Sequence, residues 1–173
     1  MRHPIRSLLY AADLCEDCET VLAYAVDMAS RLGATLQVLS VIPEQREKSL
    51  IEADPYVPQA ALDQYHDARA LRVQQHIEAQ LAAFYALRPD DTPAHPTARI
   101  NVKEGDDVAQ LILDEVHAHP IDMVLMGSHG EGVLMGLLFG SVVQEVTRKI
   151  RVPLLLVPVG HDVAAPAAAP ETP

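Results

Sequence analysis

Short apolar runs alternate with segments of helical periodicity along most of the chain. The apolar runs have the length of β-strands, and proline, glycine or charged residues follow them. The segments between them repeat apolar side chains every three or four residues, which is the spacing of one helix face. The predicted strands are 5–12, 35–42, 97–103, 121–126 and 153–159. The predicted helices lie between Asp17 and Gly33, at 58–87, between Gly105 and Pro120, and at 141–149.

This alternation of strands and helices predicts a single-domain α/β fold. Strands separated by helices pair in parallel through right-handed crossovers, so the helices cover both faces of one open five-stranded sheet. Residues 97–103 alternate apolar and polar side chains, which predicts a strand at the edge of the sheet. In such folds a ligand binds beyond the carboxyl ends of the strands, where the strand order reverses.

The C-terminal residues 160–173 differ in composition from the rest of the chain. They are rich in alanine and proline and poor in large apolar side chains. Such a segment cannot bury enough apolar surface to fold, so we expect a disordered tail. The folded domain is therefore predicted to span residues 1–159, a common length for one domain.

The chain is acidic, with 24 Asp and Glu against 13 Lys and Arg and a formal net charge of −11. A surface of this sign repels nucleic-acid phosphates and anionic lipid headgroups, so we expect neither nucleic acid nor membrane as a partner. No apolar run reaches the ~18 residues that cross a bilayer, and the run near the N-terminus ends at Asp13, too soon for a signal peptide. Two cysteines make no disulfide framework, and a cytoplasmic location is expected.

Glycines are concentrated in the segment between the fourth predicted strand, at 121–126, and the last predicted helix, at 141–149. Backbone N–H groups and the helix dipole at such a strand-to-helix junction hold phosphate groups, and glycine permits positive φ and close approach of a ligand. The Walker A pattern is excluded because Val133 stands where lysine is required, and the Rossmann pattern is excluded because Gly136 comes one residue late. The glycines are Gly127, Gly130, Gly132, Gly136 and Gly140.

The spacing Gly127-x2-Gly130-x9-Gly140-Ser141 resembles the motif of the ATP-binding branch of the universal stress protein family. The resemblance covers roughly residues 3–159 and implies an adenine nucleotide alpha hydrolase-like sheet of order 3-2-1-4-5, with ATP at the tips of strands 1, 2 and 4. The other segments that carry it are Leu8-Leu9-Tyr10-Ala11-Ala12-Asp13, Arg31-Leu32-Gly33-Ala34, Met126-Gly127-Ser128-His129-Gly130 and Val152-Pro153-Leu154-Leu155-Leu156-Val157.

The resemblance also implies contacts between particular residues and the nucleotide. Asp13 matches an acidic residue that meets the adenine or ribose edge, and Val41 matches a residue that contacts adenine through its backbone. The positions that match ribose and phosphate contacts are Gly127, Gly130, Gly140 and Ser141, with Val142 as a further backbone donor. Residues 127–141 contain no lysine or arginine and carry a formal charge of −1, so backbone dipoles and a divalent cation, Mg²⁺ or Mn²⁺, are expected to hold the phosphates.

An ATP-binding regulator or sensor of the stress response is the function that the resemblance implies. In this family the last strand pairs across a homodimer, and the leucines of Pro153 to Val159 suit such an interface. No nucleophile–base pair stands out in the sequence, so we expect a binding protein and not an enzyme, with slow ATP hydrolysis left open.

Two other functions stay open at this point. A nucleotide-free dimer that acts through protein contacts is favoured by the acidic residue Glu131 in the glycine-rich segment. Cys15 and Cys18 form a Cys-x-x-Cys pattern between a strand and a helix, which is the setting of a redox pair. The two acidic residues between these cysteines disfavour a thiolate, so a redox function is the weaker of the two.

Overall fold

Five parallel strands form one sheet in the computed structural model, in the order β3-β2-β1-β4-β5. The structure describes residues 4–13, 18–43, 56, 58–87, 95–128 and 139–159. The strands are β1 (Ser7–Ala12), β2 (Thr35–Ile42), β3 (Ala98–Glu104), β4 (Met123–Gly127) and β5 (Leu154–Val157). The helices are α1 (Cys18–Leu32), α2 (Gln59–Ala86), α3 (Val108–Ala118) and α4 (Ser141–Lys149). The predicted α/β fold and its strand order are confirmed.

Each face of the sheet has its own hydrophobic core. Successive side chains of a strand point to opposite faces, so Leu8 and Tyr10 pack with α1 and α2, while Leu9 packs with α3 and α4. Each helix contributes side chains that are at most 2% exposed, among them Val26, Ile77, Ile112 and Val146. Burial on both faces explains why the central strands read as continuous apolar runs in the sequence.

The edge position of β3 agrees with the alternation in its sequence. Ala98 and Ile100 are partly buried against the core under α1 and α2. Arg99 and Asn101, which alternate with them, are exposed. The predicted edge strand is therefore confirmed.

Some strand ends differ from the prediction because distant groups form the last hydrogen bonds. β1 begins at Ser7 and not at residue 5, since the N–H groups of Arg6 and Ser7 donate to Oδ2 of Asp122 at 2.8 and 3.0 Å. β4 begins at Met123 instead of residue 121, and β5 is shorter than the predicted 153–159.

Local capping signals account for two of the helix ends. Gly33 ends α1 as predicted, with φ of 63° and a hydrogen bond from the Ala34 N–H to the Ala29 carbonyl at 2.9 Å. α3 begins at Val108 because Asp107 caps it, its Oδ1 accepting from the Gln110 N–H at 2.9 Å. The start predicted at Gly105-Asp106 is thus slightly early.

Part of the predicted organisation lies outside the described residues. This holds for the tail at 160–173 and for most of the connection predicted at 43–57. None of the helices in the described ranges is both long enough and apolar enough to cross a bilayer.

Candidate functional site

The carboxyl ends of β1, β2 and β4 lie side by side. Ala12 pairs with Ser40, and Ala11 pairs with Met126, so the residues that follow β1 and β4 are nearly level with the end of β2. The chain leaves β1 toward β2 but leaves β4 toward β5, which makes the gap between β1 and β4 the point where strand order reverses. Parallel sheets of this kind bind ligands at that point.

Asp13 provides an exposed carboxylate at this edge, directly after β1. The register places Val41, a partly buried residue near the end of β2, beside it. Burial raises the pKa of Tyr10 in β1, and the negative charge of Asp13 raises that pKa further. The Asp13 carboxylate therefore interacts electrostatically with a side chain of the strand. An acceptor for hydrogen bonds therefore lies next to the backbone of β2.

Ser128 joins the two ends of the glycine-rich segment. Its N–H donates to the Val157 carbonyl at 2.8 Å, which extends the pairing of β4 and β5 by one residue. Its carbonyl accepts from the Gly140 N–H at 3.4 Å. Gly127, at the end of β4, and Gly140, just before α4, are therefore close in space although the whole segment separates them in sequence.

The first turn of α4 has N–H groups without a capping side chain. Gly140 is its N-cap residue, and no side chain accepts from the helix start there. The N–H of Gln144 donates to the Gly140 carbonyl at 3.0 Å, so the N–H groups of Ser141, Val142 and Val143 precede the first bond within the helix. The first turn carries no acidic residue. Such a turn attracts anions, phosphate among them, through its N–H groups and the helix dipole.

The backbone of Gly140 is in an ordinary extended conformation, with φ of −64° and ψ of 160°. Residues with a side chain adopt these angles readily. The expectation that the glycines of this segment supply positive φ is therefore wrong for Gly140. The other expectation, that glycine lets a ligand approach the backbone closely, stays a prediction at this position.

Six of the seven residues predicted to contact the nucleotide lie where the carboxyl ends of the strands meet the start of α4: Asp13, Val41, Gly127, Gly140, Ser141 and Val142. Gly130 lies outside the described residues, as do Glu131, His129 and Cys15. The side chain of Cys18 also lies outside them. The contacts that the resemblance implies for these residues stay predictions. Within the described ranges, no three His, Cys, Asp or Glu side chains are grouped so that they could hold a metal ion.

A further cluster at this edge was not predicted from the sequence. His66 Nδ1 lies 2.6 Å from Oε2 of Glu104, and the Arg69 guanidinium lies 3.7 Å from Oε1. Arg69 also approaches the Pro43 carbonyl at 3.5 Å, so the cluster ties α2 to the ends of β2 and β3. The only available signal is the alternation of β3, which places Glu104 on the face that α2 covers.

Comparison with known proteins gives the same fold over most of the chain. Residues 4–158 match the model of the Universal stress protein family. The chain is 24% identical over 162 residues to the stress response protein NhaX of Bacillus subtilis, covering 87% of this chain and 96% of the relative. The structure of universal stress protein UspA from Lactobacillus plantarum superposes with a TM-score of 0.67 at 20% identity, covering 90% of this chain and 99% of that one. A universal stress protein in complex with cAMP gives 0.54 at 14% identity, covering 90% and 98%.

Proposed function

The chain belongs to the universal stress protein family, and on that premise we propose that it binds ATP and acts as a stress-response regulator or sensor. The relationship to a stress response protein supports the regulatory part of this proposal. The observation that carries the nucleotide part is the uncapped first turn of α4, which begins beside the end of β4, where strand order reverses.

The phosphates of ATP suit the first turn of α4. The backbone N–H groups of Ser141 and Val142 lack acceptors within the helix, and the exposed Ser141 adds a hydroxyl donor. The segment offers no lysine or arginine to balance the phosphate charge. A bound Mg²⁺ or Mn²⁺ would supply that positive charge through the phosphate oxygens.

The adenosine part of the nucleotide suits the ends of β1 and β2. The Asp13 carboxylate accepts hydrogen bonds, as a ribose hydroxyl or the adenine amine requires, and the backbone of Val41 lies next to it. The solved relative in complex with cAMP favours an adenine nucleotide over a simple anion as the ligand.

The edge strand β5 supports a homodimer. It lies at the opposite edge of the sheet from β3, and its residues Leu154, Leu155 and Leu156 are only partly buried. An apolar edge strand pairs readily with a second strand. We infer that two copies pair through Pro153 to Val159, and that the protein works in the cytoplasm by binding and not by catalysis.

Calorimetry with ATP and Mg²⁺, together with thermal melting, tests the nucleotide proposal. Ligand at a hundredfold excess over Kd stabilises the native state by about 2.7 kcal/mol, which raises Tm by about 5–11 °C for a domain of this size. Gly140→Val is expected to abolish both the heat and the shift, since valine accepts the backbone angles of Gly140 but blocks close approach. Asp67→Asn, which removes an exposed carboxylate on α2, is the control and should bind as the unaltered protein does.

The outcome also decides between the two regulatory functions. Native mass spectrometry counts the subunits and detects any nucleotide retained on purification. ADP, AMP and cAMP replace ATP in parallel titrations to establish which phosphate group is required. If saturating nucleotide leaves melting unchanged, the ATP proposal is wrong, and two subunits in the mass spectrum would then favour the nucleotide-free dimer that acts through protein contacts.

A further inference from the structure

Ser128 connects three parts of the chain at the edge where the ligand is proposed to bind. It is 6% exposed. Besides its backbone bonds to Val157 and Gly140, its Oγ lies 3.4 Å from the Val159 N–H, which donates to it. The end of β4, the residues that follow β5 and the N-cap of α4 therefore meet at one residue.

Gln144 holds the other end of the same segment. Its side-chain Nε2 donates to the Phe139 carbonyl at 2.9 Å, and its backbone N–H donates to the Gly140 carbonyl at 3.0 Å. Gln144 is exposed, so its side chain is not needed to fill the core. The residue that precedes the N-cap is thus fastened to the first turn of α4.

These contacts set the distance between the end of β4 and the first turn of α4 through hydrogen bonds within the chain. Bringing two distant chain positions together costs conformational entropy. Where hydrogen bonds of the folded protein already offset that loss of entropy, ligand binding does not have to offset it, and the affinity for the ligand is higher. An anion that bridges the end of β4 and the N–H groups of Ser141 and Val142 benefits most from such an arrangement.

We propose that Ser128 and Gln144 are positioning residues that hold the first turn of α4 at the distance from β4 that a nucleotide phosphate requires. The inference rests on the proposed nucleotide binding and deepens it. Neither side chain need touch the nucleotide, because the Ser128 Oγ holds Ser128 to Val159 while the Ser128 carbonyl accepts from Gly140, and Gln144 acts through Phe139. The effect should therefore fall on the phosphates and not on the adenosine part.

The test compares ATP with adenosine for Ser128→Ala and Gln144→Ala. Each change removes a hydrogen bond, which predicts an ATP affinity lower by about fivefold and an adenosine affinity that is unchanged. Ser7→Ala is the control for Ser128, since Ser7 is 7% exposed and its Oγ accepts from Gln37 Nε2 at 3.2 Å at the other end of the sheet. Gln59→Ala is the control for Gln144, since Gln59 bonds to Asp63 at 3.0 Å in the first turn of α2. Both controls should retain full ATP affinity.

Backbone hydrogen exchange without nucleotide provides the second measurement. The N–H of Val159, which loses its acceptor, is expected to exchange about fivefold faster in Ser128→Ala. The N–H of Gly140 keeps its acceptor but is expected to exchange faster in both variants, because Ser128 or Phe139 is held less firmly, whereas neither control changes these rates. Unchanged exchange at Gly140 in both variants overturns the inference, as does equal loss of ATP and adenosine affinity. If the unaltered protein binds neither compound, the proposed function is wrong and the exchange rates alone decide whether the two residues position α4.

Discussion

Replacing Lys103 by methionine is expected to destabilise the fold, because it leaves the Glu115 carboxylate buried without its main counter-charge. Glu115 lies on α3 and is 3% exposed. Its Oε2 is 2.6 Å from Lys103 Nζ, and both of its oxygens are 3.3 Å from Asn101 Nδ2. His119 Nε2 lies 3.4 Å from the other oxygen. Methionine keeps the length of the lysine stem and removes only the charge and its hydrogen bonds.

The size of the loss follows from the distance and the burial of this pair. At 2.6 Å two unit charges attract by about 6 kcal/mol at an effective dielectric constant of about 20, and by about 1.6 kcal/mol in water. Removing one partner of a fully buried pair costs about 3–5 kcal/mol. The Lys103 side chain is 30% exposed, so solvent screens part of the interaction and we expect a loss of about 2–4 kcal/mol. For a domain of this size, Tm then falls by about 4–16 °C.

The loss is also expected to depend on pH. Burial on its own raises the pKa of Glu115, but hydrogen bonds from Lys103 and Asn101 and the positive charges of Lys103 and His119 outweigh it, so the pKa is lowered. A lowered pKa gives stability that is present above the unfolded value of about 4.3 and is lost as pH falls through the folded value. Lys103→Met removes both a hydrogen bond and a charge that lower the pKa of Glu115, so this pKa rises in the variant and the deficit of Lys103→Met should be larger at pH 7 than at pH 4.

Urea unfolding at both pH values measures this deficit, with a matched surface pair as the control. Lys149 Nζ and Glu145 Oε1 are also 2.6 Å apart, but their side chains are 43% and 39% exposed, and Lys149→Met should change stability very little. Adding Glu115→Gln to Lys103→Met is expected to restore part of the loss, because no buried charge is left. Equal losses for the two lysine variants, or no recovery in the double variant, would refute the reasoning.

Two further changes test the ends of secondary structure. Gly33→Ala should cost about 1–2 kcal/mol in urea unfolding because φ is 63° there, and no described atom lies within 4 Å of the added Cβ, so the whole effect comes from the backbone. A neutral result would mean that α1 ends in another way in solution. Asp122→Ala should cost about 1–3 kcal/mol in thermal unfolding, since it removes the acceptor of the Arg6 and Ser7 N–H groups, whereas Asp122→Asn keeps an oxygen acceptor and should recover part of it. Equal losses for both Asp122 variants would show that the charge and not the hydrogen bonds is decisive.

The local pattern of the sequence was enough to predict the sheet and one of its edges. A strand buried on both faces is apolar throughout, whereas β3, with one exposed face, alternates and so differs from β1 and β2. The other edge strand, β5, does not alternate, so its edge position could not be predicted in this way. The ends of strands were less predictable because distant groups form their last hydrogen bonds. Asp122 determines where β1 begins, and nothing near residue 5 in the sequence indicates it.

In the candidate site, too, some features were predictable from the local sequence and others were not. The glycine spacing and Asp13 are local signals, and the structure places the described members of that set at one edge. The cluster of His66, Arg69 and Glu104 and the bond from Val159 to Ser128 depend on the register between parallel elements. Parallel register is not encoded by local periodicity, since the strands concerned are joined by long crossovers. Such contacts therefore emerge only with the three-dimensional structure.

Gly33 and Gly140 show that the presence of glycine in a sequence does not by itself indicate why glycine is needed there. Gly33 has φ of 63°, which L-residues adopt only at a cost, whereas Gly140 has φ of −64°, which they adopt freely. At Gly33 the left-handed backbone conformation that ends α1 is sufficient to explain why glycine is needed. At Gly140 the backbone angles make no such demand, so positive φ is not what requires glycine at the start of α4. Glycine is also a common N-cap residue, so nucleotide binding by Gly140→Val, and not the backbone geometry, decides whether a ligand needs the close approach that glycine allows.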